Sequence, residues 1–301
     1  MQAVVMNETG DPDVLRLQEM ERPEPGDGEV LIRVRAISVN PIDWKYRRGF
    51  MPKDLPAILG SDISGTVELS RAEGFAEGDE VFGFAASGAY AEFATAPAAL
   101  IASKPAGITH EQAAAIPVAG LTAWQALFDR AGLQSGQRAL IAGAAGGVGH
   151  FAVQLAAHAG ITAIGIGSPR NRDFVLGLGA SEYVDYTQQD VASAVSDVDF
   201  AFDTVGGALT DALLATVREG GVLVTIAGAP PEQAAAERGV RAELLIMSPS
   251  AEQLARIAEL VASGAVKVDI AQVLTLEDAA RAHELSESGH TRGKIILTAG
   301  A

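Results

Sequence analysis

With 301 residues, 38 of them acidic and 22 basic, the chain has a formal net charge of −16, which argues against a nucleic-acid backbone or an anionic membrane surface as partner. It has no cysteine, which excludes disulfides, thiolate catalysis and thiolate metal sites together and fits a cytoplasmic location. Apolar residues make up 48%, enough for two domains of roughly 150 residues each, but no run approaches the roughly 18 apolar residues of a membrane span.

Residues 1–10 lack a basic segment followed by an apolar one, so no signal peptide is expected. Residues 1–6 read as a short strand. Residues 29–36 alternate polar and apolar with period two, the pattern of a half-buried strand. Residues 60–68 and 78–83 are further strands with glycine turns, and 89–94 alternate again. Short strands at this spacing predict a small, partly closed barrel. The segment 39–56 between them is long and rich in charge, proline and aromatics, and long loops on rigid scaffolds commonly carry function.

Residues 109–127 switch to helical period, starting near Thr109 or His110, and Pro117 divides them into two helices. From Arg138 the pattern alternates. Strands are expected at 138–143, 162–167, 182–186, 198–205, 220–228 and 241–246, with helices at 148–159, 170–178, 208–217 and 250–263. This predicts a doubly wound parallel sheet. The segment 229–239 reads as a mobile loop. After Gly264 the pattern breaks, and Val273-Leu274, a helix at 277–288 and a strand at 294–297 are expected to return to the first domain. The expected division is 1–119 with 265–301 as one domain and 120–264 as the other.

The stretch 138–149, RALIAGAAGGVG, organises the second half. An apolar strand, a glycine turn and an apolar helix are the context of a dinucleotide fingerprint. A tight turn needs a residue without Cβ. A pyrophosphate resting on backbone N–H groups needs close approach, and the helix N-terminus adds partial positive charge. The register is Ala144-x-Gly146-x-x-Gly149, with alanine where the first glycine is usual. After the second strand comes Gly165-Ile166-Gly167-Ser168-Pro169-Arg170-Asn171-Arg172, and no acid stands there before Asp173. A ribose 2′-hydroxyl is usually held at this place by Asp or Glu. Ser168 can instead donate a hydrogen bond, and Arg170 or Arg172 can form charge-assisted bonds to a 2′-phosphate. The pattern predicts NADPH.

These motifs join Val39-Asn40-Pro41-Ile42-Asp43-Trp44-Lys45, Leu59-Gly60-Ser61-Asp62-Ile63-Ser64-Gly65, Gly120-Leu121-Thr122-Ala123-Trp124, Asp203-Thr204-Val205-Gly206-Gly207 and Gly293-Lys294-Ile295-Ile296-Leu297. With them the chain resembles, over nearly its whole length, the medium-chain dehydrogenase/reductase superfamily in its zinc-free quinone oxidoreductase and enone reductase branch. The resemblance implies an α/β architecture: a GroES-like β-barrel catalytic domain plus a doubly wound (Rossmann) nucleotide-binding domain. It implies cofactor contacts in the glycine turn at Ala144, Gly146, Gly147 and Val148, and at the phosphate end from Ser168, Arg170 and Arg172, with Tyr186 near the adenosine phosphate. Thr122, Val205 and Lys294 complete the implied cofactor set.

Zinc-dependent relatives need a cysteine and a His-Glu pair where this chain has Asn40, Ser61 and Asp62. Asn40 and Ser61 are poor zinc donors, and the histidines at 110, 150, 158, 283 and 290 show no ligand spacing. They read as surface or helix residues, and no metal is expected. Without a Lewis acid, alcohol oxidation loses its usual means of stabilising an alkoxide. Hydride delivery to a quinone or an α,β-unsaturated carbonyl is easier, because the acceptor delocalises charge.

Lys45 matches a lysine of related enone reductases, where simpler quinone reductases have tyrosine. Its ammonium is expected to hydrogen-bond the acceptor's carbonyl oxygen and stabilise the enolate; whether it also gives a proton stays open. Asn40 is expected to orient the nicotinamide ribose or the substrate. Asp43 either holds Lys45 or caps the short helix after Pro41. Trp44 and Trp124 read as core. Residues 241–246 form the outermost strand, and Leu244 and Ile246 on an open edge imply a homodimer, as the family pairs this edge. Two alternatives stand beside the reductase reading. One is an enoyl reductase of a biosynthetic pathway, with Arg47-Arg48 as the docking patch for an acyl thioester. The other is a non-catalytic NADPH-binding protein.

Overall fold

The run Ala139–Ala142 has no polar side chain because the strand that carries it, Arg138–Ala142, is covered on both faces. In this computed structural model, which describes residues 1–300, the parallel sheet is built outward from that strand. Thr162–Gly167 and then Glu182–Asp185 lie on one side of it. Val198–Asp203, Val217–Thr225 and Arg241–Leu244 lie on the other. Every pairing is parallel. The strand first in sequence is therefore central, and the strand order reverses beside it. In open α/β sheets that reversal makes a crevice at the carboxyl ends of the strands. The helices Gly149–His158, Arg172–Gly177 and Ala208–Thr216 are crossover connections of this sheet. Gly149 shows why the turn after the central strand is glycine-rich. A Cβ there would stand 2.1 Å from the Gly143 carbonyl oxygen, so any side chain would push the helix off the strand.

The other sheet is organised by Glu29–Val39, a long strand with most of its side chains buried. It pairs antiparallel with Asp62–Ser70, Phe93–Pro97 and Lys294–Thr298. Glu80–Phe84 and Ile101–Ser103 extend the sheet at one side, and Ile270–Thr275 runs parallel to Lys294–Thr298 at the other. Val30, Ile32, Val34, Ile37, Ile63 and Leu297 fill its core. A small sheet of Leu15–Glu19, Gln2–Met6 and Ala57–Ile58 completes this body.

The chain divides into two compact units. The β-rich unit holds Met1–Val118, Pro249–Gly264 and the chain from Val268 onward; the α/β unit holds Ala119–Ser248 and Ala265–Lys267. The helix Ala251–Ala262 is thus in the β-rich unit, where it packs on Ile101–Ser103, and not in the nucleotide-type domain that was expected to run to residue 264. Its buried residues, Leu254, Ile257, Ala258 and Val261, follow helical spacing. That spacing identifies a helix without saying which core it covers.

Three other segments differ from expectation. Residues 229–239 contain the helix Glu232–Glu237, with Ala235 buried; the Ala234-Ala235-Ala236 run favours a helix and two prolines start it. The alternating stretch 89–94 is a strand only from Phe93, because Ala89 and Tyr90 donate their N–H groups to Leu59 and Tyr90 turns inward. The sixth parallel strand ends at Leu244. Among the described residues no helix is long and apolar enough to cross a membrane.

Candidate active site

The glycine turn, Ser168 with the two arginines, Tyr186 and Val205 all follow the carboxyl ends of neighbouring parallel strands. Local geometry makes this end of the α/β unit a cradle. Gly146 donates its N–H to Gly143 at 2.8 Å and Ala144 donates to Ile166 at 3.1 Å, which closes the turn on the sheet. The helix that follows begins at Gly149, and His150 N donates back to the Gly146 carbonyl at 3.1 Å, which seats the first turn of the helix on the glycine turn. Across the turn, Asp203 shapes the second lip. Its Oδ1 accepts from Val205 N at 3.0 Å and Gly206 N at 2.7 Å, and its Oδ2 accepts from Thr210 Oγ1 at 2.6 Å. Thr204 Oγ1 donates to Ala142 at 2.8 Å and ties this loop to the central strand. Gly206 and Gly207 both have positive φ, and Val205 is left exposed.

Past the second parallel strand, Tyr183 supports the chain at Ser168. Its hydroxyl donates to the Ser168 carbonyl at 2.6 Å; burial first, then Asp185, pushes its pKa up to about 12, so it stays a donor. The Arg172 guanidinium stands 5.9 Å from the Tyr183 ring centre. Arg170 and Arg172 are both exposed. This donor set, two cations and Ser168 with no acid before Asp173, fits a 2′-phosphorylated cofactor. Tyr186 lies just past its strand and is exposed, while Thr122 is buried on the helix Pro117–Trp124. Tyr183 and Asp203 carry structural roles that sequence reasoning missed. For Asp203 the signal was present: an acid closing a buried strand, followed by two glycines.

In the β-rich unit, the helix Pro41–Arg47 carries the expected reacting end. Asn40 is its N-cap and Pro41 its first residue. Asp43 Oδ2 accepts the Asn40 backbone N–H at 2.9 Å, which decides between the two expectations for Asp43: it caps the helix. It does not face Lys45, since side chains two apart on a helix point away from each other. Lys45 is half-buried, with Nζ 5.9 Å from the Trp44 ring centre. Trp44, also half-buried, meets Phe50 edge-on at 6.1 Å.

Behind the cap lies a buried polar network. The Tyr90 hydroxyl donates to Asp43 Oδ2 at 3.0 Å and stands 3.0 Å from His283 Nε2. Burial, reinforced by Arg47, lowers the His283 pKa to about 3, so the ring is neutral; the Tyr90 pKa is raised well above its ordinary value, mainly by burial. The proton of His283 therefore sits on Nε2 and is donated to Tyr90, which leaves Nδ1 without a partner. Asp43 is pushed up to about 7, first by burial, against the Asn40 N–H that favours its charged form. Neither Tyr90 nor His283 stands in a recognisable local pattern.

Asn40 and Lys294 are placed differently from expectation. Lys294 Nζ donates to Asn40 Oδ1 at 2.6 Å and to the Val39 carbonyl at 3.3 Å. Asn40 Nδ2 donates to Asp62 Oδ2 at 3.0 Å and to the Ser38 carbonyl at 3.4 Å. Both amide protons of Asn40 are committed, so it has no donor left for a ribose or a substrate. Lys294, expected to touch the cofactor, is buried inside this unit, where burial lowers its pKa against the opposing pull of Asp62 and Asp43.

Comparison with known proteins places this geometry. Residues 26–106 match the alcohol dehydrogenase GroES-like domain model and residues 178–297 the zinc-binding dehydrogenase model. The chloroplast envelope quinone oxidoreductase homolog of Arabidopsis thaliana is 35% identical over 299 residues, covering 91% of each chain. The chain belongs to the medium-chain dehydrogenase/reductase family. The NADPH-dependent alkenal/one oxidoreductase of A. thaliana chloroplasts is 31% identical, covering 99% of this chain and 79% of that protein. The solved quinone oxidoreductase from Coxiella burnetii superposes with a TM-score of 0.94 at 35% identity, over 100% of this chain and 99% of that one. The two units are accordingly a GroES-like domain and a Rossmann-type domain of an oxidoreductase.

The second model's description raises zinc, and the residues present do not fit it. No group of three or more His, Cys, Asp or Glu converges for a metal among the described residues. Asp62, the one carboxylate at the position, already accepts from Asn40, Val118 and Ser61. The Lys294 ammonium, bonded to Asn40, would repel a second cation.

Asp43 makes stability depend on pH in an unusual direction. Its carboxyl titrates from an ordinary value of 3.8 to about 7 on folding. Between those values the folded state holds a proton that the unfolded state has lost, so this group's contribution falls as pH rises from about 4 to about 7 and is constant above. One proton gives a slope of at most about 1.4 kcal/mol per pH unit. Asp43→Asn keeps an acceptor for the Asn40 N–H and removes the titration. Urea unfolding at pH 5, 6, 7 and 8 is expected to show the wild type losing stability relative to the variant up to pH 7. Parallel curves would contradict this.

Proposed function

We propose that the chain is an NADPH-dependent reductase of quinones and α,β-unsaturated carbonyls that needs no zinc. The observation that carries the reading is the end of the second parallel strand, where Ser168, Arg170 and Arg172 stand in place of an acid beside the glycine turn. The A. thaliana alkenal/one oxidoreductase, NADPH-dependent by name, supports it. When bound, NADPH supplies a hydride. The chain's own residues do the rest. The glycine turn and helix start receive the pyrophosphate, and Ser168 with the arginines receives the 2′-phosphate. Lys45 presents an ammonium to the acceptor's carbonyl oxygen, where negative charge gathers as the β-carbon is reduced. Asn40 and Asp43 hold the helix that presents it. The zinc-free part of the reading rests on the donor set around Asp62. A homodimer is the second part, resting on the outermost strand Arg241–Leu244, where Leu244 at its end is 44% exposed and Ile246 just past it 76%.

Four measurements test these readings. NADPH is expected to bind more tightly than NADH by about 1.5–3 kcal/mol, the worth of a charge-assisted phosphate contact; equal dissociation constants would contradict the cofactor assignment. With NADPH and a chelator present, the protein is expected to reduce quinones and enones and to leave simple alcohols untouched. Lys45→Ala should then lower kcat for enones by about 10²–10³, less for quinones, with NADPH affinity preserved. An unchanged enone rate would make Lys45 a bystander. Light scattering at micromolar concentration should give twice the 31.0 kDa chain mass; a monomer alone would contradict the edge-strand reading.

A further inference from the structure

The Asn40 amide is gripped by the chain itself, an ammonium on one end and a carboxylate on the other. We propose that Lys294 is a positioning residue for the reacting end: its buried ammonium, acting through the Asn40 amide, fixes the joint from which the Pro41–Arg47 helix and Lys45 project. The proposal rests on the reading of Lys45 given above.

The chemistry of the bridge is restrictive. An ammonium only donates and a carboxylate only accepts, so the group between them must accept at one end and donate at the other. A short amide does so, and its partners leave the assignment of its O and N ends unambiguous. Aspartate at position 40 would add a third buried carboxylate. Leucine there would leave an ammonium and a carboxylate each short of a partner. Lys294 is 4% exposed, Asp43 3% and Asp62 0%, so a lost partner could not be replaced cheaply by water.

The position of the grip is as telling as its chemistry. Lys294 also bonds the Val39 carbonyl, the last of the long strand. Asp43 takes the Asn40 N–H. The carbonyl before the joint, the side chain at the joint and the N–H at the joint therefore each meet a buried charged or titratable group. Pro41, with no N–H, follows directly. Lys294 reaches this point because Gly293 has φ +70° and a Cβ on it would lie 2.2 Å from the Asp269 carbonyl. Only glycine lets the strand Lys294–Thr298 begin so close, with Lys294 N donating to Asp269 at 2.8 Å. The far end of the helix is pinned separately, by Arg47 and Arg48 on Glu287. A joint released at one end redirects the helix. A displacement of about 1 Å at a reacting group can cost about 10²-fold in rate.

Lys294→Met alone leaves two buried carboxylates without a cation and can fail to fold. The decisive variant is Lys294→Met with Asp62→Asn, which removes one charge of each sign and keeps an acceptor for Asn40 Nδ2. It is compared with the parent and with Asp62→Asn alone. The readouts are thermal unfolding, NADPH affinity, kcat and KM for an enone, and NMR exchange of the Asn40 side-chain amide protons. The double variant is expected to fold and to bind NADPH within about twofold of the parent, since the phosphate contacts are in the other unit. Its kcat should fall at least about tenfold with a smaller change in KM, and its Asn40 amide should exchange at least about tenfold faster. Asp62→Asn alone, with the ammonium retained, should keep slow exchange. A folded double variant with parental kcat overturns the proposal, whatever its exchange. Lost kcat with slow exchange overturns it too, because the effect would not run through Asn40. A parent with no NADPH-dependent turnover overturns the activity reading instead. The exchange arm then decides the grip on Asn40 alone, slow exchange counting against it and fast exchange for it.

Discussion

Lys294, Asp43 and Asp62 put one ammonium and two carboxylates where almost no water reaches, and such a group is stable only if each charge is matched or a proton is held. The arrangement meets both conditions. Lys294 balances one carboxylate, and the raised pKa of Asp43 keeps a proton close to neutral pH. Hydrogen bonds then run unbroken from the Asn40 amide to Asp43, Tyr90 and the neutral His283, with His283 Nδ1 left unpaired at the far end. Buried polar networks of this kind are costly to half-satisfy. The helix bearing Lys45 therefore starts from a point that side-chain motion does not easily shift.

The Rossmann-type unit meets a different demand by different means. Its cradle depends on the absence of atoms: Gly149 lets the helix touch the turn, and positive φ at Gly143, Gly206 and Gly207 lets both lips curve. Positive charge enters at the rim, with Arg170 and Arg172 exposed, while the buried carboxylate of Asp203 shapes the second lip. A buried cation near the turn would pay a desolvation cost before any ligand came. An exposed one meets its anion at the surface and confers selectivity between cofactors. The two units thus place positive charge oppositely, Lys294 buried in one and Arg170 with Arg172 exposed in the other, which suits the two roles proposed above.

The family also bears on the question of zinc. At the position where zinc-dependent relatives bring ligands together, this chain brings an amide, a carboxylate and its own ammonium. A fixed internal cation cannot polarise a bound alcohol as an open metal site does. That matches a reading in which the acceptor, a quinone or an enone, spreads its own developing charge and asks the protein for orientation and one donor.

How much of this was legible beforehand divides along the range of the forces involved. The parallel strands and crossover helices were written in local periodicity, and the glycine turn in the spacing of residues without Cβ, because backbone sterics act over a few neighbours. A cap for the short helix after Pro41 was readable as one of two roles for Asp43; that Asn40 is the N-cap was shown only by the structure. The role of Lys294 was not: it lies 254 residues from the Asn40 side chain it holds. Glycine followed by lysine at the start of a strand reads the same whether that lysine faces solvent, a cofactor or a buried carboxylate. The helix Ala251–Ala262 shows the same limit, since its apolar stripe requires burial without naming the core. Tyr90 and His283 were invisible for the same reason. Local sequence sets which elements form and where they turn. Burial, and with it every perturbed pKa and every committed hydrogen bond, is decided only when distant segments close over a side chain and exclude the water that would otherwise have solvated it.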